Sequence, residues 1–143
     1  MTKALVLAAS LLLSAPLAAL ADKLVVIVNP ASGVERLSSD EAVNIFMGRY
    51  RKLPSGLSAM PIDIGKDSPE RREFYQRLVR KDLAAIDSYW ARLVYSGATS
   101  PPLRAPNAAT AVEIVADNVA AIAYIYAARA DARVKVVLEL DDH

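Results

Sequence analysis

Ser68, Arg71 and Arg72 stand close together in the segment Gly65–Phe74, GKDSPERREF, in which a serine and a proline open a predicted helix. A hydroxyl group, the N–H groups of a first helical turn and a guanidinium are groups that bind oxyanions in proteins. Lys66 precedes them and adds a positive charge from the loop. The segment therefore predicts a small-oxyanion site formed by Lys66, Ser68, Arg71 and Arg72.

Arg71 also fits a purely structural role. It precedes Phe74 by three residues and Tyr75 by four, so it lies on the inward face of the predicted helix. A positive charge in the first turn opposes the helix dipole, and an acidic group should therefore compensate it. That group is either a bound oxyanion or an internal carboxylate, and the sequence leaves both alternatives open. The candidate carboxylates are Asp63, Asp67 and Asp87.

Composition excludes several kinds of chemistry. The 143-residue chain has no cysteine and a single histidine, His143. Disulfides, thiolate nucleophiles, Ser-His-Asp triads and metal sites built on Cys or His are therefore excluded. No spacing of carboxylates singles out an acid–base pair. We expect a non-catalytic protein that needs no metal or cofactor.

Residues 1–21 have the pattern of a secretory signal peptide, with Lys3 before an apolar run and Ala19-Leu20-Ala21 as the cleavage site. Pro16 interrupts the apolar run, which favours cleavage over an uncleaved membrane anchor. Residues 22–143 would then form a single periplasmic or secreted domain with no membrane span. Without Lys3 the basic and acidic side chains balance, so nucleic acid is not an expected partner.

Predicted strands and helices alternate along this domain. Short apolar runs bounded by turn residues predict four strands, at Lys23–Val28, Met60–Gly65, Ala120–Tyr126 and Val134–Leu140. Capping residues predict four helices, which follow Ser38, Ser68, Asp82 and Asn107. This alternation predicts an α/β fold in which helices flank a central, mostly parallel sheet. After Lys23 the first strand is an apolar, β-branched run, and it should be a central strand buried on both faces.

Apolar spacing predicts which side chains face the core. Val94 is expected to face inward with Trp90 on the third helix, and Val119 is expected to do so on the fourth. Tyr89 and Trp90 fit a core position better than a ligand platform. The segment ATSPPLRAP, residues 98–106, is predicted to be a proline-rich loop. A basic loop, Arg49–Lys52, fits a solvated surface better than an anion or partner patch.

Four segments carry a resemblance to a known family. They are VVIVNPASGVERLSSDEAVNIFMGRYRKLPSG, PIDIGKDSPERREF, YWARLVYSG and AAIAYIY. Together they resemble the phosphate-type periplasmic substrate-binding proteins of ABC transporters, in a short form. The most specific parts are Asn29-Pro30 after the first strand, the helix start at Leu37-Ser38, and Ile45–Gly48, which is similar to the family's IFLG.

The resemblance implies a single lobe of the type II periplasmic-binding-protein fold. It also implies phosphate as the oxyanion and an ABC transporter as the partner. Ser68 matches the serine of the family's anion loop, whereas Pro69 and Glu70 stand where glycine and threonine would, and Ile64 stands roughly where an arginine would. The alternative function is a protein-interaction or regulatory lobe that has lost its anion and pairs with itself or with an envelope sensor or transporter component.

Overall fold

The computed structural model describes residues 23–140. The elements in chain order are β1 (Leu24–Val28), α1 (Ser39–Phe46), β2 (Met60–Ile64), α2 (Pro69–Val79), α3 (Leu83–Ser96), β3 (Leu103–Ala105), α4 (Ala108–Asp117), β4 (Ala121–Tyr126), a 3₁₀ turn (Ala127–Arg129) and β5 (Lys135–Glu139). The four predicted strands and four predicted helices all appear. The signal peptide predicted for residues 1–21 lies outside the described residues.

The five strands form one sheet in the order β3-β2-β4-β1-β5. β2 runs parallel to β3 and β4, while β1 is antiparallel to both of its neighbours, β4 and β5. Four strands therefore share one direction, which confirms a mostly parallel sheet, and β1 runs against them. All five residues of β1 are buried, as predicted for an interior strand. Burial on both faces makes a strand apolar whatever its direction, so the sequence of β1 carries no signal for its orientation.

Side-chain caps start the helices as predicted. At α1 the Ser38 hydroxyl accepts a hydrogen bond from the Glu41 amide at 3.1 Å, and the Glu41 carboxylate accepts one from the Ser38 amide at 3.0 Å. Asp82 caps α3 and Asn107 caps α4 in the same manner, each accepting from an amide three residues onward. These caps satisfy N–H groups that have no partner within their own helix.

Three local predictions were wrong. Val94 is 54% exposed and Val119 is 45% exposed. Helix α3 buries only the narrow stripe that contains Ile86 and Trp90, and α4 ends at Asp117, before Val119. The predicted loop of residues 98–106 contains β3, whose three residues pair with the end of β2. That strand exists because of its neighbour, since its own sequence is short and flanked by prolines.

Gly48 and Gly97 provide a matched test of packing, since both follow helices with φ at +70°. A methyl group on Gly48 would lie 2.8 Å from Cη2 of Trp90 and 2.9 Å from Cγ2 of Thr99, whereas one on Gly97 would meet nothing within 4 Å. We expect Gly97→Ala to cost about 1 kcal/mol through backbone strain alone. Gly48→Ala should cost about 1–3 kcal/mol more through overpacking. Urea unfolding of both variants tests this, and equal losses would contradict it.

No helix within residues 23–140 is both long enough and apolar enough to cross a membrane.

Candidate functional site

Ser68 serves as the cap of helix α2. Its hydroxyl oxygen accepts a hydrogen bond from the amide of Arg71 at 3.1 Å, and its proton is donated to the carbonyl of Ile64. Because a serine hydroxyl carries one proton, that donor is already used within the protein. Ser68 therefore joins the end of β2 to the start of α2.

The Arg71 guanidinium turns into the protein, and the residue is 1% exposed. Its Nε lies 3.3 Å from Oδ2 of Asp63, and one terminal nitrogen lies 3.1 Å from Oδ1 of Asp87. The other terminal nitrogen donates to the carbonyl of Lys66 at 3.0 Å. All three nitrogens thus have acceptors inside the chain. This is the geometry of the structural alternative, in which internal carboxylates compensate Arg71.

Asp63 is the centre of this buried network, with 2% exposure. Its second carboxylate oxygen accepts hydrogen bonds from the hydroxyls of Tyr75 and Tyr124, each at 2.8 Å. The Tyr124 hydroxyl also accepts from the amide of Ile64 at 3.1 Å, which ties the network to β2. The Asp63 carboxylate is therefore held by a cation on one oxygen and by two hydroxyls on the other.

The electrostatics of this network favour a charged Arg71 and neutral phenols at Tyr75 and Tyr124. Burial by itself lowers the pKa of Arg71, but the nearby Asp63 and Asp87 carboxylates outweigh burial and the pKa is raised overall. Burial, and then the charge of Asp63, raise the pKa of Tyr75 and that of Tyr124 well above the usual value. Both phenols keep their protons and can donate to the carboxylate. The network is thus a satisfied structural unit of the core.

Lys66 and Arg72, the other two predicted ligands, are exposed. The Arg72 guanidinium donates to the carbonyl of Asp67 at 3.0 Å. The structure connects Lys66 to Arg71 through the lysine carbonyl and connects Ser68 to Arg71 through the helix cap. An anion-binding role for these four residues stays a prediction, with the Arg71 side chain facing the core.

A cleft of about 230 Å³ opens where β2 and β3 end, between the first turns of α2 and α4. Its polar lining consists of Ser68, Glu70, Asn107 and Arg129, and its apolar lining of Ile64, Pro106, Ala108 and Ala109. The amides of the first turn of a helix have no intrahelical acceptor and carry the positive end of the helix dipole. Two helix starts line one cleft. In α2, however, Pro69 has no N–H and the Arg71 amide already donates to Ser68, so the amides that favour an anion are mainly those of α4.

The charged side chains of the cleft have opposite signs. Arg129 is exposed and would attract an anion, whereas the Glu70 carboxylate would repel one. Sequence reasoning missed Arg129 and gave Asn107 only a capping role. A signal for Arg129 exists, because it follows the strand AAIAYIY by three residues and parallel strands end at the same edge of a sheet.

The Asn-Pro motif after β1 has a structural role in this chain. The side-chain amide of Asn29 donates to the carbonyls of Val115 and Ala116 at 2.9 and 3.0 Å. Its carbonyl oxygen accepts from the amide of Ala31 at 2.9 Å. Asn29 thereby satisfies the last carbonyls of α4 and fixes the turn that leaves β1.

The aromatic pair of helix α3 packs as predicted for a core position. Trp90 is 5% exposed, and the hydroxyl of Tyr89 donates to the carbonyl of Met47 at 2.6 Å. Within the part of the chain that the structure describes, no three His, Cys, Asp or Glu side chains are grouped closely enough to hold a metal ion.

Comparison with known proteins gives fold neighbours only. No family model matches the chain, and no curated protein matches it in sequence. An ABC-type phosphate transport receptor from Vibrio cholerae superposes with a TM-score of 0.64 at 19% identity, over 82% of this chain and 46% of the receptor.

A second solved structure, from Clostridium perfringens, is assigned as a phosphate ABC transporter substrate-binding protein and contains bound phosphate. It superposes with a TM-score of 0.62 at 19% identity, over 81% of this chain and 44% of that protein. The chain thus spans less than half the length of either neighbour. It has the α/β fold of a single lobe of phosphate-type substrate-binding proteins.

Proposed function

We propose that residues 22–143 form an exported, non-catalytic binding protein for a small oxyanion, with phosphate as the first candidate. The export signal is residues 1–21, the location is the periplasm or the exterior, and the partner is an ABC-type transporter. The observation that carries this proposal is the cleft between the first turns of α2 and α4, with Arg129 at its rim. The names of the two fold neighbours, both linked to phosphate transport, support the choice of anion.

The binding groups in this proposal differ from the four ligands that the sequence predicts. The amides of the first turn of α4 and the Arg129 guanidinium supply the attraction, while Arg71 acts indirectly by holding the start of α2 in place. Ser68 and Asn107 already accept hydrogen bonds as helix caps, so they shape the cleft walls. An open cleft with these few groups should bind weakly, with a dissociation constant of roughly 1 mM.

The two cleft charges make the proposal testable. Glu70→Gln removes a repulsion and should strengthen anion binding, whereas Arg129→Ala removes an attraction and should weaken it. Each change is expected to be about two- to fivefold, as for a solvent-exposed charge pair. Calorimetric titration of residues 22–143 with phosphate and with sulfate measures both effects. Arg92→Ala, an exposed arginine on α3 outside the cleft, is the matched control and should leave binding unchanged.

Absence of binding by either anion at millimolar concentration would contradict the oxyanion proposal. It would favour the second candidate function, a protein-interaction or regulatory lobe. The observations that favour this candidate are the internal use of Arg71 and the adjacent Val94 and Tyr95, which are 54% and 96% exposed at the end of α3. Contact surfaces are marked by contiguous exposed apolar patches larger than roughly 300–600 Å², so this candidate requires that the patch extend beyond these two side chains.

A further inference from the structure

The loop between α1 and β2, residues 47–59, packs against helix α3 at a point remote from the cleft. The loop backbone at Gly48 contacts the Trp90 indole and Thr99 so closely that a Cβ at that position would lie under 3 Å from both. The amide of Ala59 donates to the carbonyl of Arg51 at 2.9 Å, which holds Arg51 beside the amino end of β2. The cleft lies beyond the carboxyl end of the same strand.

Arg51 stacks on Trp90 in this contact. Its guanidinium carbon lies 5.7 Å from the centroid of the indole, and one terminal nitrogen donates to the carbonyl of Ser100. The residue is partly buried, while its neighbours Arg49 and Lys52 are exposed. The guanidinium is therefore covered by the indole on one face and by the segment after α3 at one end, while the residue as a whole is partly exposed.

Two buried donors in this stacked pair have no acceptor. Nε of Arg51 and Nε1 of Trp90 are both withdrawn from solvent, and neither has a hydrogen-bond partner within residues 23–140. Trp90 is 5% exposed, so its N–H cannot turn to bulk water. Buried donors in proteins are satisfied in the great majority of cases, because an unmade hydrogen bond keeps the full cost of desolvation.

The charge of Arg51 is uncompensated as well. In the described part of the chain no carboxylate forms an ion pair with Arg51, whereas the more deeply buried Arg71 has both Asp63 and Asp87. Burial accordingly lowers the pKa of Arg51, although Tyr75 and Tyr89 oppose the shift. A group that supplied both an acceptor and a negative charge would satisfy the two donors and the cation together.

We propose that Arg51 and Trp90 form a binding site for a carboxylate group from outside the chain. Both donors are withdrawn from solvent, so the carboxylate would reach them by displacing the partly exposed Arg51 side chain. A carboxylate has two oxygens, as many as there are orphan donors, and forms charge-assisted hydrogen bonds with a guanidinium. The exposed Arg49 and Lys52 add positive potential around the entrance and would draw an anion to it. The carboxylate comes either from a free small acid or from an acidic side chain of a polypeptide. The site does not depend on the oxyanion cleft.

The single tryptophan of the chain provides a direct probe. In ¹⁵N-labelled protein, residues 22–143, the Trp90 indole N–H gives one side-chain signal of its kind. We expect acetate, and separately a blocked tetraglutamate peptide, to shift this signal in a saturable manner at constant ionic strength. A peptide affinity about tenfold or more above that of acetate identifies a polypeptide as the source. Equal affinity for acetate and for each carboxylate of the peptide identifies a small free acid as the source.

Matched variants decide whether Arg51 is responsible. Arg51→Gln should weaken the carboxylate affinity by about tenfold. Arg51→Lys keeps the charge but loses the planar guanidinium that stacks on the indole, so its affinity should lie between those of Arg51→Gln and the unaltered protein. Arg49→Gln in the same loop should change the affinity by less than about threefold. Two results overturn the proposal. One is an indole signal that stays unmoved or moves equally with chloride, and the other is an unchanged response in both Arg51 variants.

Discussion

Replacing Arg71 by alanine is expected to destabilise the protein by about 3 kcal/mol. The change leaves the Asp63 carboxylate, which is 2% exposed, without its cation. The hydroxyls of Tyr75 and Tyr124 still donate to that carboxylate, which places the loss at the lower end of the range for a broken buried pair. Asp87 is 45% exposed at its side chain, so water can solvate it. Urea unfolding at neutral pH measures the loss.

Arg72→Ala is the matched control, since it removes the neighbouring exposed arginine and should change stability by no more than about 0.5 kcal/mol. The double change Arg71→Met with Asp63→Asn removes the cation and the anion together, and it should recover much of the lost stability. A small loss for Arg71→Ala, accompanied by a large loss of anion binding, would contradict the structural role and return Arg71 to the predicted ligand set.

Replacing Phe74 by alanine should cost about 3–5 kcal/mol, the largest effect that we expect for a single residue. Phe74 is fully buried and stacks on Tyr124 with ring centroids 3.9 Å apart, and it meets Phe46 edge-on at 4.8 Å. The change leaves a cavity between α1, α2 and the sheet. It also removes the support of the Tyr124 ring, whose hydroxyl donates to Asp63.

The same unfolding measurement tests this prediction, with Leu103→Ala as the control. Leu103 is 57% exposed on the edge strand β3, and its truncation should cost less than about 1 kcal/mol. A loss below about 2 kcal/mol for Phe74→Ala would mean that Phe46 and Tyr124 close over the space. In that case the aromatic cluster is less rigid than its packing indicates.

The elements of the fold were predictable because their signals are local. The Ser38–Glu41 capping box, the caps at Asp82 and Asn107, and the glycines at 48 and 97 each act within a few residues of chain. The apolar runs of β1 and β4 likewise predict directly that these strands are buried. These features determined which segments form helices and strands, and their alternation determined the fold class.

Part of the candidate site could also be predicted. The inward position of Arg71 follows from its spacing to Phe74, and Asp63 and Asp87 are two of its three candidate carboxylates in the sequence. The sequence could not decide between an internal carboxylate and a bound anion, because that choice depends on distances between β2, α2 and α3. The position of Arg129 at the same cleft depends in turn on the pairing of β4 with β2.

The sequence by itself thus determined the four helices and four of the five strands, the single-lobe α/β class and the inward direction of Arg71. The tertiary structure alone decided that β1 runs antiparallel, that β3 forms on the edge of β2, and that the Arg71 charge is satisfied from within. It also placed Arg51 against Trp90, although these two residues lie far apart in the chain. The physical reason is that caps and periodicity act between neighbours in sequence, whereas strand direction and charge pairing depend on which distant groups the packed core brings within a few ångströms of one another.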